Sequence, residues 1–295
     1  MIAKIKKYLK ENPFITVLLV VFLMGTAPYG IYQIVYHSNN AKQQESYEQI
    51  WEQAVIAVVI EEDSEELSTE SSEEHVLTPE EEFLAQGNNQ VKYGNYLKKG
   101  ALDFNVLWEY NKDIIGYIII PGTKVSYPIL RSEDNSYYLN HNLDGSKGYP
   151  GCIYMESYNA PDFEDSITIL YGHNMKNNTM FGTLEEYRKE EYRKENPYIL
   201  IYLPDEVRVY EVVVASKYTN EHLLVDNFNQ EADGTFTFTG LKGDESMNFM
   251  DDVDDFGAYG AFMDSDKVEE TDKLLVLSTC TSNDMRYIVG AKRIL

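Results

Sequence analysis

The sequence predicts a mainly β domain, an antiparallel or mixed barrel, carried behind a single N-terminal membrane-spanning helix. Three observations predict it. Eight strand-like runs rich in Ile, Val and Tyr follow one another between residues 114 and 294, each bounded by Pro, Gly, Asn or Asp. Few regular helical patterns separate them, which argues against a doubly wound parallel sheet. Upstream of all of them lies a stretch with no charge, Phe14–Tyr36, close to the ~20 residues that cross a bilayer core as a helix.

Taken in order, residues 1–13 carry Lys4, Lys6, Lys7 and Lys10 against Glu11. Lysines on that flank hold the N-terminus in the cytoplasm and direct the rest of the chain outside. A cleaved signal peptide, with Phe14–Met24 as its apolar region, is the rival reading. Pro28 directly after the small residues Gly25, Thr26 and Ala27, and apolar character continuing to Tyr36, favour the uncleaved anchor over residues 14–36. Residues 37–92 read as an acidic extracellular linker: from 41 to 90 there are fourteen Asp and Glu against one Lys. The run Glu61–His75 has the Ser/Glu composition of a spacer that cannot bury enough surface to fold. Ile50–Ile60, "IWEQAVIAVVI", is the exception, and reads either as a helix continuing from the membrane or as a segment lying against the domain.

The folded domain is expected over 93–295. Tyr93–Asn111 has apolar residues near helical spacing, so one or two short helices open it. The strand-like runs are 114–120, 126–130, 151–155, 166–172, 198–203, 207–219, 273–280 and 286–294, with helical candidates at 179–196 and 244–262. The formal net charge of −24 excludes non-specific nucleic-acid binding, because phosphate is repelled. Two cysteines, Cys152 and Cys280, cannot form a disulfide framework.

Cys280 closes one apolar run, and Arg286 opens the next. His173 follows another run, in "YGHN", where Gly172 permits a sharp turn. A thiol at pKa ~8.5 attacks well only as the thiolate. An imidazole takes that proton and returns it to a leaving amine. A guanidinium steadies the oxyanion that forms on the attacked carbonyl. Together the three residue types suit acyl transfer through a thioester. On the residues alone, the alternatives stay open: a packed strand-end cysteine, a surface-loop histidine and an arginine paired with one of many acids.

"VLSTC" (276–280) with Arg286 after it resembles the TLxTC signature of the sortases, cysteine transpeptidases of Gram-positive cell surfaces. "YGHNMKNNTMFGTL" (171–184), "IIGYIIIPGTKVSYPIL" (114–130) and "DNSYYLNHNLDGSKGYPGCIYME" (134–156) are similar to class B segments. The resemblance covers about 93–295. It implies an eight-stranded sortase-type β-barrel with N-terminal helices and a helix inserted before the last strand pair, within 220–272. It also implies Cys280 as nucleophile, His173 as acid/base and Arg286 as the arginine that orients substrate. Ser278, Thr279, Tyr171, Asn174, Leu139 and Asn140 match positions that line or support the substrate groove. No metal or organic cofactor is implied. The implied partners are an exported protein with a C-terminal sorting signal and a peptidoglycan-precursor amine, a pilin lysine being the alternative acceptor and an inactive peptide-binding module the alternative class. The chain departs from the pattern at Val276, where the signature has Thr, and in a short Thr281–Met285 loop. Cys152 and His141 are expected to be structural.

Overall fold

The computed structural model describes residues 8–62, 77–97, 101–241, 243–281 and 285–295, without the side chains of 18–21, 23–25, 27 and 56–62. Lys4, Lys6, Lys7 and most of the acidic Glu61–His75 run therefore lie outside the described residues. The chain divides into two compact units, Met1–Glu45 and Ser46–Leu295.

The described residues of the first unit are mainly helical, most of them in α1 (Pro13–Glu62), which has Pro28 in its interior. Phe14, Val17, Phe22, Tyr29, Ile31 and Ile34 are all exposed on it. Among the described residues no helix is long and apolar enough to cross a membrane, so the anchor expected over Phe14–Tyr36 has no support from them.

The second unit starts inside the stretch read from sequence as linker. From Ser46 onward α1 covers the barrel, with Tyr47, Ile50 and Ala54 buried. Tyr47 meets Tyr127 edge to face at 5.1 Å, and Trp51 lies against Tyr117 at 5.2 Å and Tyr202 at 5.9 Å. Of the two readings of Ile50–Ile60, burial of Ile50 and Ala54 bears out the segment lying against the domain. Next comes α2 (Pro79–Ala85), set by Thr78 and Glu81 in a reciprocal capping box with Pro79 at the first turn. α3 (Asn89–Tyr93) and α4 (Phe104–Tyr110) follow, and Asp103 caps the latter by accepting from the Asn105 amide at 2.8 Å.

The eight expected runs are strands: β1 (Ile114–Ile119), β2 (Ser126–Leu130), β3 (Ile153–Met155), β4 (Ile167–Tyr171), β5 (Tyr198–Tyr202), β6 (Val207–Tyr218), then the final pair Leu274–Cys280 and Arg286–Arg293. Three further pieces precede that pair: β7 (Phe228–Gln230), β8 (Phe236–Phe238) and β9 (Phe262–Met263), so the final pair is β10 and β11. Hydrogen bonding runs β11-β10-β4-β3-β2-β1-β5-β6 and returns from β6 to β11, closing an eight-stranded barrel, with β9 added on β6. β4/β10 and β2/β3 are parallel and the other barrel pairs antiparallel. Closure leaves no free edge around the ring. Between β2 and β3 a single turn, α5 (Tyr137–Asn140), forms one wall of the rim.

The helix expected over 179–196 is broken in two. A 3₁₀ turn, Leu184–Arg188, and α6 (Glu190–Glu195) meet at Lys189, whose backbone is extended. Tyr187 is buried and its hydroxyl donates to the Asn196 carbonyl at 3.0 Å, so burial of this ring overrides the charge spacing that favours one continuous helix. In the insert, the expected helix is α7 (Glu245–Phe256), stopped by Gly257 in the left-handed conformation. Its Phe249 packs over Gly290 of β11.

Candidate active site

Parallel strands bring their C-terminal ends to the same side of a sheet, and this places the two reactive groups. β4 and β10 run in parallel register with Tyr171 opposite Ser278. The pairing continues past the strand ends: the Gly172 amide donates to the Ser278 carbonyl at 3.2 Å, and the Thr279 hydroxyl donates to the Gly172 carbonyl at 2.7 Å. His173 is two residues beyond Tyr171 and Cys280 two beyond Ser278, so both stand on one rim. Gly172 is required there. A Cβ at this position would lie 2.4 Å from Ile153 Cδ1 and 2.7 Å from Phe181, both in the packed core. The Phe181 amide donates to the His173 carbonyl at 3.0 Å and fixes the turn.

Arg286 arrives from the other side. In the β10/β11 hairpin it is the direct cross-strand partner of Cys280. The hairpin loop is held by the Thr281 amide donating to the Met285 carbonyl at 2.7 Å; residues 282–284 are outside the described ones. The short loop does not keep Arg286 from the rim. Its guanidinium lies 5.5 Å from the centre of the Tyr171 ring, and Nη1 is 3.4 Å from Ser278 Oγ. Its buried Nε has no hydrogen-bond partner among the described residues.

A cleft of about 200 Å³ opens over this rim, lined by Leu139, Tyr154, Tyr171, His173, Ser278, Thr279, Cys280 and Arg286, with Asn135 and His222 at its sides. Cys280 is exposed, whereas the other thiol, Cys152, is buried beneath Tyr47, and burial pushes it up to about 12. Cys152 is therefore a protonated packing group. His173 Nε2 is 2.9 Å from the Leu139 carbonyl. A carbonyl oxygen only accepts, so Nε2 carries a hydrogen and Nδ1 of the neutral ring keeps the lone pair. Tyr149 lies over the imidazole at 4.4 Å. Burial holds His173 below the ordinary histidine value, with the Leu139 bond acting in the opposite sense. A neutral imidazole beside an exposed thiol and a fixed guanidinium is an arrangement for thiol-dependent acyl transfer.

Of the nine site residues expected from sequence, seven line this cleft: Cys280, His173, Arg286, Ser278, Thr279, Tyr171 and Leu139. Leu139 contributes through its carbonyl as well as its side chain. Asn174 and Asn140 do not line it. The Asn174 amide points to Glu185 Oε1 at 3.4 Å, and the Asn140 amide donates to the Ser136 carbonyl of its own turn at 3.1 Å. His141 stacks on Tyr137 at 4.1 Å, away from the cleft. Sequence reasoning missed Asn135, Tyr154, His222 and the buried Glu156 beneath them. Glu156 had one signal: a lone acid directly after the apolar run Ile153–Met155.

The Sortase domain family model matches residues 118–294. A sortase B of Listeria monocytogenes is 31% identical over 174 residues, 59% of this chain and 65% of that protein, so the match spans just under two thirds of that relative. A sortase B of Staphylococcus aureus is 29% identical over 197 residues, 64% of this chain and 73% of that protein. The solved Staphylococcus aureus sortase B–substrate complex superposes with a TM-score of 0.54 at 27% identity, covering 69% of this chain and 88% of that one. The closed barrel with its rim thiol superposes on that solved sortase B. The chain belongs to the sortase family, the cysteine transpeptidases, and its similarity is to class B members.

Proposed function

We propose that the chain is a membrane-anchored class B-type sortase. It cleaves a C-terminal sorting motif of exported proteins and joins the new acyl end to an amine of a cell-wall precursor. The observation that carries this reading is the convergence of Cys280, His173 and Arg286 on one cleft. His173 Nδ1 accepts the Cys280 proton, and Sγ attacks the carbonyl carbon of the motif's Thr. Arg286 stabilises the oxyanion; its Nε, which has no partner among the described residues, is a donor left for a substrate oxygen. Collapse of the tetrahedral intermediate breaks the C–N bond, and His173 returns the proton to the leaving amine. The incoming amine then gives its proton to His173 and attacks the thioester, and Cys280 leaves with that proton restored. The ring of Tyr149 over His173 and the burial of Ser278 and Thr279 limit water at the thioester.

The anchor is residues 14–36. The uncharged run Phe14–Tyr36 in the sequence argues for it, as do the lysines flanking its N-terminal end. It places the N-terminus in the cytoplasm and the catalytic unit outside. Protein from membranes keeps Met1 or Ile2 at its N-terminus under this reading; a start near Pro28 contradicts it. For the activity, the full-length chain in detergent is mixed with quenched peptides spanning candidate sorting motifs. Wild type cleaves one of them and Cys280→Ala does not. Cleavage of none, or equal cleavage by both, contradicts the proposal.

A further inference from the structure

We propose that Glu156, which adds no surface to the cleft, is its positioning residue: one buried carboxylate fixes Asn135, Tyr171 and His222 and, through Tyr171, the guanidinium of Arg286. This rests on the sortase reading for its catalytic consequence but not for its geometry. Glu156 follows β3 and is fully buried. Oε1 accepts from Asn135 Nδ2 at 2.6 Å, from the Ser157 hydroxyl at 3.1 Å and from the Tyr158 amide at 3.3 Å. Oε2 accepts from the Tyr171 hydroxyl at 2.9 Å and lies 3.0 Å from His222 Nε2. Asn135, Tyr171 and His222 all line the cleft, on the α5 side, the floor and the insert side respectively.

The histidine end of this hub has a defined state. The Leu224 amide donates to His222 Nδ1 at 3.1 Å, so Nδ1 is an acceptor and Nε2–H donates to Glu156. Both nitrogens are occupied. His222 is thus not a second base in the cleft; it is the point at which the insert is tied to the barrel. The tyrosine end acts on Arg286. A phenol that donates to a carboxylate keeps an electron-rich ring, and that ring lies under the guanidinium. Ser278 Oγ at 3.4 Å is the only hydrogen-bond partner for the Arg286 side chain among the described residues, so the ring carries much of its placement. Burial pushes the Glu156 carboxyl up, but hydrogen bonds from His222 and Asn135 bring it down to about 2, so the hub stays charged near neutral pH.

Glu156→Gln keeps the shape and removes one acceptor. In the full-length protein, we expect the Leu224 amide to exchange hydrogen faster than in wild type, because His222 loses its anchor. We expect kcat/KM for a cleaved sorting peptide to fall roughly ten- to a hundredfold, while alkylation of Cys280 by iodoacetamide stays within about twofold, because the thiol is not touched. Should Glu156→Gln fail to fold, Tyr171→Phe removes only the hydroxyl and is expected to lower kcat/KM in the same way with unchanged alkylation. Unchanged exchange at Leu224 overturns the proposal, as does peptide cleavage within about twofold of wild type in the folded variant. If wild type cleaves no peptide, the sortase reading fails by itself, and the exchange measurement still decides whether Glu156 organises the cleft.

Discussion

Burial sets the protonation of His173 at the rim. Desolvation favours its neutral form, so in the folded protein it takes up a proton only below the ordinary value of ~6.5. The unfolded chain takes up that proton first as the pH drops. Stability is therefore lost as pH falls from ~6.5 toward the folded value, and it is fully present above ~6.5. The fall in urea midpoint between about pH 7 and about pH 5 should be smaller in His173→Gln than in wild type; an equal fall contradicts the assignment. At this scale the sequence was informative wherever residue type alone limits the chemistry. Cys280, His173 and Arg286 stood out because few other side chains supply a nucleophile, a base near neutrality and a permanent charge. Glu156 did not stand out. Its partners Asn135, Tyr171 and His222 are scattered along the chain, and only the closed sheet assembles them. Asn174 and Asn140 were misplaced for the converse reason. Neighbourhood in sequence to a site residue says nothing of direction, and each amide turns to a local partner.

At the scale of elements, the parallel β4/β10 pair is what makes a site from two distant segments. Its accuracy depends on the close approach at Gly172. Gly172→Ala drives a methyl into Ile153 and Phe181 and shifts the His173 turn. Thermal or urea unfolding should show a loss of about 1–3 kcal/mol, with loss of peptide cleavage; a variant with wild-type stability and rate contradicts this account of the rim. The eight barrel strands were legible because each is a β-branched or tyrosine-rich run bounded by turn residues. β7, β8 and β9 span two or three residues and have too little pattern to read. The 179–196 stretch shows surface charge spacing, but Leu184 and Tyr187 must reach the core, and the chain breaks at Lys189 to let them.

For the whole molecule, the compact unit begins at Ser46, well before the 93–295 segment that carries the family resemblance. The reason is physical. Tyr47, Ile50 and Trp51 cover Tyr127, Tyr117 and Tyr202, aromatic surface that otherwise faces water. Composition showed only part of this: the acidic residues on either side read as a spacer, and Ile50–Ile60 alone stood out from it. A protein starting at Ser46 should unfold at clearly higher urea concentration than one starting at Val91. Full burial of a single large apolar side chain contributes about 1.5–3 kcal/mol; equal midpoints contradict the covering role.

In the proposed reaction Cys280 carries the acyl group between two substrates. Intact-mass measurement of the full-length protein, quenched with acid during turnover of a sorting peptide, tests it directly. The expected species is an adduct equal to the peptide's N-terminal fragment, mapped to Cys280, absent from Cys280→Ala and discharged by hydroxylamine, as a thioester is. Peptide cleavage without any adduct at Cys280, or an adduct that persists in Cys280→Ala, contradicts it.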